Sequence, residues 1–263
     1  MRPPCIKLSL TVSSIAAGHG EHAVVLADRD RSRRVNLMFG DSAERWSSFS
    51  DRHEAGRVLA KHLQKYAGRP DVIVLALPRG GVPVGYEVAR ALRVPLDVFV
   101  VRKLGVPGYG ELAMGAIASG GVRVLNENVV AQLPNAEEML AAVTAEETRE
   151  LERREAEYRG NRPLPDLRGK TVILVDDGLA TGATMRAAAT ALKQRGVAAC
   201  VVGVPVASPE TCAEFRYEVD EVVCAATPEP FYGVGQFYED FSQTSDEEVR
   251  DLLARAATEK TQS

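Results

Sequence analysis

The sequence has few of the residues on which disulfide-stabilised and metal-centred proteins depend. It has four cysteines without a C-x-x-C spacing, namely Cys5, Cys200, Cys212 and Cys224. This pattern predicts free thiols, as in reduced intracellular proteins, rather than a disulfide framework or a zinc site. The four histidines all lie in the first quarter of the chain, at His19, His22, His53 and His62. A His-based triad or a His/Cys zinc site in the main domain is therefore difficult to assemble.

The chain also lacks an excess of positive charge. Its formal net charge at pH 7 is −4 and its pI is about 5.7, so no broad basic surface indicates nucleic-acid or membrane binding. The apolar run at residues 6–17 is short and interrupted by Ser and Thr. We predict a cytoplasmic protein in which residues 1–48 are a poorly ordered extension, or in part a start-site artefact with Met38 as the true beginning. A signal peptide is the alternative.

From residue 49 the pattern predicts one α/β domain over residues 49–257, followed by a frayed tail at 258–263. Apolar runs of strand length occur at residues 71–77, 95–101, 171–175, 198–206 and 220–225. Helical spacing between several of these runs implies parallel strands joined by right-handed crossovers. Residues 113–118 and 122–125 form a predicted hairpin, and residues 135–159 a solvated helix. The fold class is therefore an open, mainly parallel sheet with helices on both faces.

Two adjacent carboxylates, Asp176 and Asp177, stand where the buried strand at residues 171–175 should end. A turn of small and hydroxyl residues follows them and leads into a predicted helix at 185–194. Backbone N–H groups at a helix N-terminus, with the Thr181 and Thr184 hydroxyls beside them, are suited to a phosphate. The carboxylates can accept hydrogen bonds from sugar hydroxyls or hold a hard divalent cation. The alternative is that the acids only cap the helix.

A second glycine-containing loop follows another predicted strand. Pro78, Arg79, Gly80 and Gly81 come directly after residues 71–77. The glycines allow the backbone to approach a ligand closely, and Arg79 supplies a positive charge. A plain strand-to-helix turn is the alternative. Since parallel strands of an open sheet bind ligands at their carboxyl ends, both loops are expected at the same edge.

Two basic residues, Arg102 and Lys103, end the predicted strand at residues 95–101. Residues 104–111 follow, with three glycines and a proline, and this composition predicts a mobile lid. For Arg102 and Lys103 the alternative is a solvated charge pair.

The sequence V-D-D-G-L-A-T-G-A-T at residues 175–184 resembles the phosphoribosyl-diphosphate (PRPP) binding motif of type I phosphoribosyltransferases. P-R-G-G at residues 78–81 resembles the pyrophosphate loop of that family. Together with R-K-L-G, G-E-L-A-M-G-A-I-A and Y-E-D-F-S-Q, these motifs resemble a bacterial group of predicted phosphoribosyltransferases, and the resemblance covers residues 49–257. The function it implies is transfer of phosphoribosyl from PRPP to a nitrogen acceptor, with release of pyrophosphate.

The resemblance implies a role for each motif residue. Asp176 and Asp177 would hold the ribose hydroxyls and, through water, Mg²⁺. Arg79, Arg102 and Lys103 would face the leaving pyrophosphate. The PRPP-binding residues would be Pro78, Gly80, Gly81, Gly178, Ala180, Thr181, Gly182, Ala183 and Thr184. A homodimer is also expected, as is a small flexible loop region, called the hood, beside the main domain.

The acceptor is the open part of this prediction. Phe231 and Tyr232 belong to an aromatic-rich segment that can stack on a heterocycle or close a core. Ala180 stands where the 6-oxopurine branch of the family carries an acid, so hypoxanthine and guanine are predicted to be poor acceptors. A pyrimidine, an adenine-like base or an unusual amine is favoured. The alternatives to transfer are a non-catalytic PRPP or nucleotide sensor, and a nucleotide phosphorylase or hydrolase.

Overall fold

The computed structural model describes residues 48–160 and 162–261. The chain divides into two units, residues 1–45 and 46–263, and every described residue belongs to the second. The predicted N-terminal extension therefore lies almost entirely outside the described residues, and so does Cys5. Over the described ranges, no helix is long and apolar enough to cross a membrane.

A five-stranded parallel sheet forms the centre of this unit. Its spatial order is β2 (Leu96–Val98), β1 (Val72–Ala76), β6 (Thr171–Val175), β7 (Ala199–Val206) and β8 (Glu221–Ala226). Neighbouring strands pair in parallel throughout. The predicted fold class is confirmed, and the strands that precede the two predicted loops, β1 and β6, are direct neighbours.

Helices cover both faces of this sheet. One face packs on α1 (Arg52–His62) and α2 (Gly81–Leu92), and the other on α5 (Ala183–Gln194) and α6 (Pro209–Phe215). Side chains alternate along β6 as a strand requires. Val172 and Leu174 pack towards α5, whereas Ile173 and Val175 pack towards α1 and α2. The central strand is thus buried on both sides, which explains its continuous apolar run.

A separate three-stranded antiparallel sheet follows β2 in the chain. It consists of β3 (Val101–Val106), β4 (Tyr109–Ala118) and β5 (Val122–Leu125). Residues 104–111 therefore form the turn end of a β-hairpin, rather than the flexible loop that their composition predicts. Gly108, with φ of 80°, supplies the positive φ that such a tight turn needs. The predicted strand at 95–101 is split, because β2 ends at Val98 and β3 joins the second sheet.

The remaining helices are α3 (Glu127–Val130), α4 (Ala136–Arg159) and α7 (Asp246–Thr261). The mostly solvated helix predicted at 135–159 is confirmed, and α7 continues into the segment 258–263 predicted to be a frayed tail. A buried arginine, Arg159, fastens the end of α4 to β2. It donates to Asp97 Oδ1 at 2.9 Å and to the Val98 carbonyl at 2.5 Å.

The prediction of free thiols is wrong for two of the cysteines. A disulfide joins Cys212 of α6 to Cys224 of β8, whose Cα atoms are 6.7 Å apart. The spacing of the cysteines along the chain does not indicate this disulfide, because the two residues meet only through the packing of α6 against the sheet. Cys200 is a free, buried thiol. Burial, with the charge of Asp220, raises the pKa of Cys200 to about 12, so this thiol stays protonated near neutral pH.

Candidate active site

The two predicted loops touch each other at the carboxyl edge of the central sheet. Ala76 of β1 lies opposite Val175 of β6, so the loops that follow these strands start side by side. A Cβ atom placed on Gly80 would lie 2.1 Å from Asp177 Oδ2, and one on Gly81 would lie 2.8 Å from the Val175 carbonyl oxygen. Any larger residue at either position would therefore push the first loop off the carboxylates.

The carboxylates of Asp176 and Asp177 each accept a hydrogen bond from the protein through one oxygen. Asp176 Oδ1 accepts a hydrogen bond from the backbone N–H of Asp177 at 2.9 Å. Asp177 Oδ2 accepts one from Arg52 Nε at 2.9 Å. Within the described ranges, Asp176 Oδ2 and Asp177 Oδ1 have no hydrogen-bond partner in the protein. Two neighbouring acceptor oxygens thus remain for a ligand.

Electrostatics at this pair favour the arrival of a positive group. Burial, and then the negative charge of Asp177, hold the pKa of Asp176 well above its usual range. Burial also raises the pKa of Asp177, although the Arg52 guanidinium opposes that shift. The Asp177 side chain still keeps 16% of its surface exposed, so the pair lies in an accessible cleft. A cation or a set of hydroxyl donors there would stabilise the ionised form of both acids.

The loop between β6 and α5 is built to present N–H groups. Gly182 takes a left-handed conformation with φ of 72° directly before α5. Two neighbouring carbonyls of the loop are held by side chains: Thr211 Oγ1 donates to the Ala180 oxygen and Arg186 Nη1 to the Thr181 oxygen, each at 2.6 Å. The first N–H groups of a helix have no partner within it and carry the positive end of its dipole. This loop can therefore bind an anion.

The hydrogen bond from Thr211 to the Ala180 carbonyl, which we call the Thr211 clamp, gives a testable prediction. Thr211→Val keeps the side-chain shape but removes the donor to the Ala180 carbonyl, and with it the acceptor of the Ser208 hydroxyl. Losing one such hydrogen bond is worth about 0.5–1.5 kcal/mol, so we expect inorganic phosphate to bind a fewfold more weakly by calorimetry. Thr190→Val, on the exposed side of α5, is the matched control. Equal phosphate affinity for both variants would mean that the clamp does not shape the loop.

The three predicted cationic residues are placed differently. The peptide bond between Pro78 and Arg79 is cis, and Arg79 Nη1 lies 3.9 Å from Asp246 Oδ2 at the start of α7. Arg102 forms an ion pair with Glu147 of α4 at 2.7 Å, not with either loop. Lys103 is exposed on β3. Arg79 therefore belongs to one of the two loops, and the part played by Arg102 and Lys103 stays a prediction.

A cavity of about 590 Å³ opens beside the anion-binding loop. Its walls are Ser208, Pro209, Glu210, Glu229, Pro230 and Phe231. Ser208 is joined to the loop, since its N–H donates to the Leu179 carbonyl at 3.1 Å. Phe231 also packs against Phe237, with ring centroids 5.2 Å apart. Tyr232 is 85% exposed and does not line the cavity. Of the two predicted acceptor residues, therefore, Phe231 lines the cavity and Tyr232 does not.

Four residues that sequence reasoning left out complete the cleft. Arg52 holds Asp177 as described, and the Tyr238 hydroxyl donates to the Asp177 carbonyl at 2.5 Å. Phe241 lies under the Arg52 guanidinium, and Ser242 accepts from Arg52 Nη1. The motif Y-E-D-F-S-Q contained Tyr238, Phe241 and Ser242. It gave no indication of their partner, which lies 190 positions away from Ser242.

The start and the tail of this unit meet at the same place. Phe49 donates its N–H to the Phe237 carbonyl at 2.9 Å, and its own carbonyl accepts from Glu239 at 2.8 Å. Val234 packs over Gly178, where a Cβ atom would lie 2.4 Å from its side chain. The tail thus forms a wall of the cleft and is fixed by the segment before α1.

Comparisons with known proteins agree with one another. Residues 46–241 match the model of the phosphoribosyl transferase domain. Over 208 residues the chain is 49% identical to a Mycobacterium tuberculosis protein, found in two strains, that is provisionally named a phosphoribosyl transferase; the match covers 79% of this chain and 47% of that protein. The crystal structure of TT1426 from Thermus thermophilus matches with 42% identity and a TM-score of 0.71, covering 79% of this chain and 98% of that one. The chain spans about half the length of the curated relatives that it matches.

Proposed function

Since the chain belongs to the phosphoribosyl transferase family, we propose that it transfers the phosphoribosyl group of PRPP to a nitrogen acceptor and releases pyrophosphate. The arrangement of Asp176 and Asp177 supports this proposal most directly. Each offers one oxygen without a protein partner in the described ranges, and a ribose presents two neighbouring hydroxyls that can donate to them. The anion-binding loop begins at the next residue, where the ribose phosphate would be held.

Each part of the cleft then has a role in the transfer. Residues 178–184 bind the 5-phosphate through N–H groups and the Thr181 and Thr184 hydroxyls. Residues 78–81, with Arg79, receive the pyrophosphate that leaves carbon 1. Positive charge develops on the ribose and negative charge on the leaving group, so charge stabilisation carries most of the rate. For Arg102 to face the pyrophosphate, its ion pair with Glu147 would have to open.

Mg²⁺ is the cation that the family resemblance implies. In the part of the chain that the structure describes, no group of three or more His, Cys, Asp or Glu side chains is placed to hold a metal ion. The carboxylates of Asp176 and Asp177 fit a hard cation that takes its other ligands from water and substrate phosphates. When bound, Mg²⁺ would neutralise charge on the departing pyrophosphate.

The cavity beside Ser208 is the proposed place of the acceptor. Phe231 offers one ring to a flat heterocycle, and Glu210 and Glu229 offer carboxylates at the mouth. Carboxylates accept hydrogen bonds from N–H groups and attract positive charge. An amine or an amino-substituted heterocycle can donate to these carboxylates, but so can a 6-oxopurine, so the choice against 6-oxopurines rests on Ala180. Ala180 stands where the 6-oxopurine branch of the family carries an acid, and this difference favours a pyrimidine, an adenine-like base or an amine.

A panel of acceptors tests this proposal. We expect pyrophosphate release from PRPP with at least one pyrimidine, adenine-like base or amine. Hypoxanthine and guanine should react slower than the best acceptor by roughly tenfold or more. The measurement is coupled detection of pyrophosphate, with acceptor-free protein as the background. IMP or GMP formation at a rate equal to that of the best acceptor would overturn the assignment of the acceptor class.

A sensor that binds PRPP without turnover is the second candidate. The ion pair of Arg102 with Glu147 favours it, because Arg102 is paired there and not with the proposed leaving-group loop. Saturable PRPP binding with no pyrophosphate release across the panel would support this candidate over the transferase. We also propose that the protein is a homodimer, which sedimentation analysis would establish.

A further inference from the structure

Arg52 makes a set of contacts that neither loop requires for its own shape. Its Nε donates to Asp177 Oδ2 at 2.9 Å, and its Nη1 donates to the Ser242 carbonyl at 2.7 Å. The centre of the guanidinium lies 4.0 Å from the centroid of the Phe241 ring. Only 11% of the side chain is exposed. The edge and one face of the guanidinium are therefore both occupied, and its orientation is fixed.

The position of Arg52 in α1 is not explained by helix stability. Arg52 is the first residue of the helix, where a positive charge opposes the helix dipole. Asp51 caps this end by accepting from the Glu54 N–H at 2.7 Å, which holds the first turn in place. The helix thus tolerates an unfavourable charge at a rigid point, and that charge lies directly against Asp177.

Asp177 needs such a contact if one of its oxygens is to face a ligand in a defined direction. Two adjacent carboxylates in a half-buried cleft repel each other, and a carboxylate without a fixed partner can rotate about its terminal torsion. A planar guanidinium with fixed donor directions restricts that rotation, which a flexible ammonium group would do poorly. With Oδ2 held by Arg52, Oδ1 is the oxygen that remains available.

We propose that Arg52 is a positioning residue that orients Asp177 for the ribose hydroxyl, with Phe241 and Ser242 holding Arg52 in turn. This inference rests on the proposed function, since it concerns binding of the ribose part of PRPP. It separates the cleft into two portions. Phosphate binding by residues 178–184 does not depend on Arg52, whereas ribose binding does.

Calorimetry with three probes tests the separation: inorganic phosphate, ribose 5-phosphate, and PRPP with Mg²⁺. For Arg52→Met we expect ribose 5-phosphate and PRPP to bind about 10- to 100-fold more weakly, because a hydrogen bond to a charged group is lost. Inorganic phosphate affinity should change by less than about twofold. Arg52→Lys should recover only part of the loss. The matched control is Arg57→Met, since Arg57 lies on the same helix, is half exposed and faces Glu87 at 3.8 Å.

The outcomes can be told apart. If the unchanged protein binds phosphate but neither ribose 5-phosphate nor PRPP, the proposed function fails and this inference fails with it. If it binds PRPP and Arg52→Met binds PRPP equally well, only the role of Arg52 is wrong. An equal loss for all three probes, together with a lower Tm, would mean that Arg52 is merely structural.

A second variant tests the same proposal in case Arg52→Met does not fold. Phe241→Leu keeps the Arg52 charge and its donors but removes the ring beneath the guanidinium. We expect a selective loss for ribose 5-phosphate of a fewfold, since a cation on an aromatic face contributes modestly. Unchanged ribose 5-phosphate affinity in a folded Phe241→Leu protein, combined with an unfolded Arg52→Met, would count against the proposal.

Discussion

Asp177→Asn is expected to lower the rate of pyrophosphate release from PRPP by about 10²- to 10³-fold. The amide oxygen can still accept from Arg52 Nε, so the fold and the geometry of this hydrogen bond are nearly kept. The other position then carries an NH₂ group, which donates where a ribose hydroxyl also needs to donate. One negative charge beside the proposed cation site is lost as well. The effect therefore falls on PRPP and not on the protein's stability.

Steady-state kinetics and calorimetry check this expectation together. Inorganic phosphate should bind the Asp177→Asn protein within about twofold of its usual affinity, because residues 178–184 keep their N–H groups. Asp251→Asn, an exposed acid on α7, is the control for loss of one negative charge. Undiminished pyrophosphate release by Asp177→Asn would remove Asp177 from the proposed site.

Arg159→Met is expected to lower the free energy of unfolding by about 3–5 kcal/mol. Arg159 is 4% exposed and Asp97 is 8% exposed, and the arginine also donates to the Val98 carbonyl and to Glu155. Removing the guanidinium leaves the Asp97 carboxylate buried without its cation. It also detaches the end of α4 from the edge of the central sheet.

Urea unfolding of two variants on the same helix isolates this effect. Arg153→Met is the control, because Arg153 is exposed and pairs with Glu150 and Glu157 on the helix surface. Such surface pairs contribute about 0–1 kcal/mol. Combining Arg159→Met with Asp97→Asn should recover part of the loss, since no unpaired charge is then buried. Equal losses of unfolding free energy in the Arg153 and Arg159 variants would contradict the expectation that the buried ion pair of Arg159 stabilises the fold more than a surface pair.

The sequence was most informative where function depends on consecutive residues. Asp176, Asp177 and the hydroxyl loop are one continuous segment, and the apolar runs before residues 78 and 176 indicated parallel strands. The meeting of the two loops followed from that, because carboxyl ends of parallel strands share an edge. The structure adds that β1 and β6 are neighbours, which makes Gly80 and Gly81 necessary for the contact.

Contacts between distant segments could not be predicted in the same way. Arg52 and Asp177 are 125 positions apart, and nothing local to α1 indicates a partner in the cleft. The glycines at residues 105, 108 and 110 suggested a loop, yet residues 101–106 find an antiparallel partner in β4. Cys212 and Cys224 are joined only because α6 packs on the sheet. In each case tertiary pairing outweighs the local pattern.

The meeting of Phe49 with the segment around Tyr238 has a consequence for the order of assembly during synthesis. The ribosome makes Arg52 first and Asp177 later, and Tyr238, Phe241 and Ser242 emerge only after the last strand of the central sheet, β8. The central sheet can form as soon as β8 has emerged, since domains fold during synthesis. Only afterwards can Arg52 contact the Phe241 ring and donate to the Ser242 carbonyl. The cleft is therefore completed after the central sheet, so a nascent chain that has not yet reached Tyr238 has a sheet and a phosphate loop before it has an oriented Asp177.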